Sequence, residues 1–171
     1  FCVEAGLRNL KVHASDAFNR PLIEALSALD LERLIVGVGG LYPFEIADIV
    51  DQVRSRSSAE IILMQGQQGY PTSREDNNVE KVAWLVQQFG TVATIGYADH
   101  SPGYSDDARE LCDLAMISGA AAIEKHVTLD VMAKGIDHES AINIGDLPNF
   151  IDREPGRPSA LPETQFQLGE G

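Results

Sequence analysis

Gly96 to Ser140 reads GYADHSPGYSDDARELCDLAMISGAAAIEKHVTLDVMAKGIDHES and holds three of the chain's four histidines. His100 and His126 each lie just beyond a short apolar run, Val92 to Ile95 before the first and Ala120 to Ile123 before the second. Between them, Ser105 to Ser118 reads as a helix. Ser105 is its candidate N-cap, and the acids of the first turn suit the positive end of the helix dipole. Strand, helix, strand in about 30 residues is a parallel βαβ unit. It delivers both histidines to the same end of adjacent strands, on backbones about 5 Å apart. A lone histidine at a strand end is an ordinary polar loop residue. Two in phase, each next to a carboxylate (Asp99 and Glu124), have the geometry that metal ligands need, with neutral imidazole suited to Zn, Mn or Fe. Neighbouring carboxylates can orient such imidazoles.

The same strand–helix alternation runs outward from this unit. Leu10 to Ala14, Leu34 to Val38 and Ile61 to Met64 read as strands, giving five with the two above. Helices are predicted from Arg20 to Leu29, with Pro21 in the first turn, and from Pro43, with Phe44, Ala47, Val50 and Val53 on one side. A third is predicted after a cap at Asn77 or Asn78, and Asp146 caps a short one through Ile151. The continuous apolar character of the strands fits a parallel sheet buried on both faces. The fold class is therefore α/β, and the spacing suits either a barrel or a doubly wound sheet. The tail from Glu154, rich in Pro, Gly and Gln, reads as a linker or frayed end (154–171) after a single domain (1–153).

With 171 residues and 44% apolar content, the chain suits one globular domain with a sizeable core. A net charge of −13 makes nucleic acid an unsuitable partner, because phosphate binding needs a basic surface. No apolar run approaches the ~20 residues of a membrane span, and the N-terminus lacks the shape of a signal peptide. Cys2 and Cys112 are too few for a disulfide framework and suit free thiols in a reducing cytoplasm. The chain starts at Phe1, without Met, which suggests a truncated reading frame.

GYADH (96–100), EKHVTLD (124–130) and KGIDHES (134–140) resemble, in that order, the GYSDH, EKHFTLD and GPDH-x-x-S segments of the sialic acid synthase family. QGQQGYPTSREDNN (65–78) resembles that family's HC-x-x-x-YPTP stretch, and LKVHASD (10–16) its KIASGD. The resemblance covers nearly the whole chain but only part of a family protein. It implies a TIM barrel, of which the five βα units here resemble strands four to eight. Five strands cannot close a barrel that needs eight. The chain is then a fragment, or its open edges are covered by rearrangement or by another chain, the last of which points to a homo-oligomer.

The resemblance also assigns roles. His100 and His126 would bind a divalent metal, Mn or Mg. Asp99 and Glu124 match catalytic positions, and Lys11, Asp16, Gln68, Tyr70 and Asp137 match substrate-binding ones. The implied reaction is a metal-dependent condensation of phosphoenolpyruvate with an N-acetylated sugar such as N-acetylmannosamine. The alternative is a metal- and sugar-binding remnant without turnover. Ala14, Gly37 and Ala98 each stand where the family places a serine that serves phosphoenolpyruvate, so that ligand is expected to bind weakly. His138 reads as a loop residue and His13 as a polar residue of the barrel wall.

Overall fold

The computed structural model describes residues 1–151, so the expected tail from Glu154 lies outside the described residues. Six strands are joined by helices: β1 (Asn9–Val12), α1 (Arg20–Ser27), β2 (Arg33–Gly37), α2 (Pro43–Arg54), β3 (Glu60–Gln65), α3 (Lys81–Phe89), β4 (Thr94–Asp99), α4 (Asp107–Ile117), β5 (Ala122–Thr128), β6 (Ala141–Asn143) and α5 (Leu147–Ile151). The strands lie side by side in chain order and every pair is parallel. The result is a half-barrel, a partial TIM barrel with its helices on the outside.

Side-chain alternation along each strand separates two apolar clusters. Leu34, Val36, Ile61, Leu63, Ile95 and Tyr97 face outward and pack with Ile23, Ile46, Val53, Val82 and Leu111 of the helices. Ile62, Met64 and Ala98 form a smaller cluster on the concave face, with Ile35 and Ala122 against it. The helices start where local chemistry supplies a cap. Asn19 accepts the Leu22 N–H at 3.2 Å ahead of Pro21, and Glu45 accepts the Tyr42 N–H at 2.7 Å around Pro43. Among the described residues no helix is long and apolar enough to cross a membrane.

The structure departs from the expected elements in five places, the first being β1, which ends at Val12 and leaves Ala14 in a short 3-10 turn. There are six strands, because Ala141–Asn143 pairs with His126–Thr128. β4 and β5 run well past their apolar segments, since β3 pairs with β4 as far as Tyr97, β5 pairs with it as far as Asp99, and β6 pairs with β5 as far as Thr128. His126 consequently lies within β5, and His100 follows β4 directly. α4 starts at Asp107, because the Ser105 hydroxyl donates to the Pro102 carbonyl at 2.8 Å instead of capping. α3 starts at Lys81, after Asn78 takes a left-handed φ of 48° and Asn77 turns its amide to the Thr72 and Ser73 carbonyls.

Candidate active site

At the C-terminal end of the strands, the concave face holds a cavity of about 260 Å³. The first five strands contribute, through alternation and the turns that follow them. β1 and the turn after it bring Lys11, His13 and Ala14, β2 brings Gly37, and β3 with its loop brings Met64, Gly66, Gln68 and Tyr70. β4 brings Ala98 and the residue after it, His100, while β5 brings Glu124 and His126; Asp137 arrives from the loop beyond. Glu124 and His126 are two apart and share a face, as do Ala98 and His100.

The two imidazoles stand with ring centroids 5.3 Å apart and planes at 52°. Tyr70 lies over both, 6.0 Å from His100 and 6.4 Å from His126. Asp137 sits at a left-handed φ of 59°, which places a carboxylate oxygen 3.8 Å from His126 Nδ1. Burial, then the neighbouring His126, hold His100 below the usual histidine range, against smaller opposing effects of the Gln67 backbone, Asp99 and Glu124. That direction favours the neutral ring, which is the form that binds metal. Asp137 Oδ1 is buried without a hydrogen-bond partner, and the His100 ring has none beyond the Gln67 backbone beside it. Among the described residues no three His, Cys, Asp or Glu side chains form a ready-made cage. His100 and His126 are the pair that could hold a metal ion, with its other positions open.

Most of the residues singled out in the sequence converge here. Lys11 and Glu124 form an ion pair between β1 and β5. Gln68 donates to the Gly66 carbonyl at 3.2 Å, and Tyr70 is 54% exposed at the mouth. Two expected residues are not brought to the cavity. Asp16 is exposed in the short turn after β1, with its N–H donated to the His13 carbonyl. Asp99, expected to act on the substrate, is 1% exposed and faces the opposite side of the sheet, bonded to Lys125, Ser101 and Tyr97. Strand alternation is the reason: neighbours in sequence point to opposite faces. The carboxylate beside His126 is that of Asp137, because Glu124 is engaged by Lys11. His138 lies away from the lining, its ring against the Gly135 carbonyl. His13 does reach the cavity wall, two residues along from Lys11, with its Nδ1 2.9 Å from the Ser15 hydroxyl.

The floor is made of Ala14, Gly37, Gly66 and Ala98 and carries no hydroxyl. Close approach dictates two of these residues. A Cβ on Gly37 would come within 2.8 Å of the Ala14 backbone nitrogen, and one on Gly66 within 2.6 Å of the Ala98 carbonyl oxygen. Gly39 has a packing reason too, since its Cβ would fall 1.8 Å from the Gly66 oxygen.

Comparison with known proteins gives a consistent result. The model of the NeuB family matches residues 1–156. The chain is 30% identical over 138 residues to an N-acetylneuraminate-9-phosphate synthase of Drosophila melanogaster, covering 81% of this chain and 35% of that protein. It is 26% identical to the N,N'-diacetyllegionaminic acid synthase of Legionella pneumophila, over all of this chain and 45% of that one. The crystal structure of an N-acetylneuraminic acid (sialic acid) synthetase from Leptospira borgpetersenii, in complex with citrate, superposes with a TM-score of 0.77 at 31% identity, over 86% of this chain and 49% of that one. The chain thus spans less than half the length of these relatives.

Proposed function

Because the chain belongs to the NeuB family, we propose that it carries the metal and sugar part of a nonulosonic acid synthase site. The substrates in this reading are phosphoenolpyruvate and an N-acetylated sugar resembling N-acetylmannosamine. The observation that carries it is the His100–His126 pair, 5.3 Å apart on one cavity wall, with Asp137 alongside. Two facing imidazoles, with the buried and unpartnered Asp137 Oδ1 nearby, fit a divalent cation, and the family resemblance points to Mn or Mg. Bound there, that cation supplies Lewis-acid polarisation of the sugar's aldehyde oxygen.

The chain's own residues do the rest in this reading. Asp137 accepts hydrogen bonds from sugar hydroxyls, and Gln68 and Tyr70 orient the sugar from the loop after β3. Lys11 receives the negative charge of phosphoenolpyruvate, and Glu124 takes part in proton transfer beside it. The methylene carbon of phosphoenolpyruvate bonds to the aldehyde carbon, water adds at the carbon bearing phosphate, and inorganic phosphate leaves. Two free thiols support a reducing, cytoplasmic setting.

A second reading rests on the floor of the cavity. With no hydroxyl to receive phosphate, this polypeptide binds metal and sugar without turnover. Phosphate release from phosphoenolpyruvate with N-acetylmannosamine and Mn separates the two. For the metal itself, calorimetry with Mn is expected to show binding to the wild type and none to His126→Ala. Equal binding by both proteins would remove the assignment.

A further inference from the structure

Behind the cavity wall, on the helix side of the sheet, lies an ion pair that the reaction does not use. The side chains of Lys125 and Asp99 are 4% and 0% exposed. Besides the Asp99 carboxylate, Lys125 Nζ donates to the Ser101 carbonyl at 2.8 Å, so a single ammonium grips the residues on both sides of His100. The Ser101 hydroxyl donates to Asp99 at 2.7 Å, and the Tyr97 hydroxyl donates to Asn77 at 2.9 Å and lies 3.3 Å from Asp99. On its other side Lys125 precedes His126 in β5.

Backbone pairing explains why this place needs a tie. The β4–β5 ladder ends at Asp99 and Lys125, and from His126 onward β5 pairs with β6. The two histidines therefore sit just past the last rung that joins their strands. A one-residue slip there would turn His126 to the wrong face. A buried ion pair adds little stability compared with apolar residues of the same volume, and its best-attested use is to specify register. The carbonyl of His100 is held as well, by the Thr72 N–H at 2.9 Å and the Ser140 hydroxyl at 2.8 Å.

We infer that Lys125, through Asp99 and Ser101, is the positioning residue that sets His100 against His126. This rests on the reading of those histidines as metal ligands. The test separates register from stability with the double variant Asp99→Asn/Lys125→Met, in which the amide keeps partners for the Tyr97 and Ser101 hydroxyls. Its melting midpoint is expected close to wild type, whereas Lys125→Met alone melts lower because it strands a buried carboxylate. Despite that stability, the double variant is expected to bind Mn about 10–100-fold more weakly and to lose the proton NOE between the two imidazole rings. Wild-type Mn affinity together with an intact NOE would overturn the inference. If the wild type itself fails to bind Mn, the metal reading falls and the NOE alone decides the positioning role. Should the double variant not fold, Lys125→Met, read well below its own melting midpoint, serves in its place; a several-fold loss of Mn affinity together with loss of the NOE supports the inference, and unchanged affinity overturns it.

Discussion

Gly37 shows how a single position constrains what the cavity can bind. A side chain there meets the Ala14 backbone 2.8 Å away, so Gly37→Ser is expected to destabilise the chain by about 1–3 kcal/mol in urea unfolding. The hydroxyls are better restored at the other two family serine positions. A hydrogen bond to a charged group is worth about 1.5–3 kcal/mol, so Ala14→Ser/Ala98→Ser should tighten phosphoenolpyruvate binding at least about tenfold by calorimetry. No change would mean that the floor does not contact the phosphate. The two cysteines also part company. Burial pushes the Cys112 thiol far above its usual range, while Cys2 is exposed. Iodoacetamide on the native chain should label Cys2 and spare Cys112, and rapid modification of both would contradict the packing around α4.

At the scale of elements, the apolar runs located five of the six strands but not where they end. β4 continues to Tyr97 beside β3 and on through Ala98 and Asp99 beside β5, and pairing leaves no mark on composition. β6 is three residues long, too short for periodicity to register. The histidine pair was legible because a βαβ unit fixes both strand ends at once. That Asp99 faces away from His100 was legible in principle from strand alternation, but the resemblance weighed the whole motif as one site. Asp137 beside His126 depends on a left-handed loop residue that no pattern announces. At the opposite end of the strands, Glu60 of β3 accepts from Arg33 of β2 and Thr94 of β4, each at 2.8 Å. Chiefly the Arg33 bond, then that of Thr94, hold its carboxyl below the ordinary 4.5. A depressed folded-state value contributes stability above pH 4.5 that is lost as pH falls through the lower value. The stability gap between wild type and Glu60→Gln should therefore be constant near neutrality and close on acidification. A gap that ignores pH would show the ladder carries no linkage.

For the whole molecule, the sheet ends at β1 and β6, each paired on one side among the described residues. Unpaired strand edges template association with another chain, and a closed barrel would need eight strands. The isolated chain should self-associate, with a sedimentation coefficient that rises with concentration; a monomer throughout the micromolar range would count against this. The Lys11–Glu124 contact bears on shape as well as on chemistry. It joins the first strand to the fifth across the hollow of the sheet, as a chord joins two points of an arc. A chord limits how far an arc can open. An anion that drew Lys11 away from Glu124 would release that limit, and ligand occupancy and the radius of the half-barrel would then be one mechanical variable.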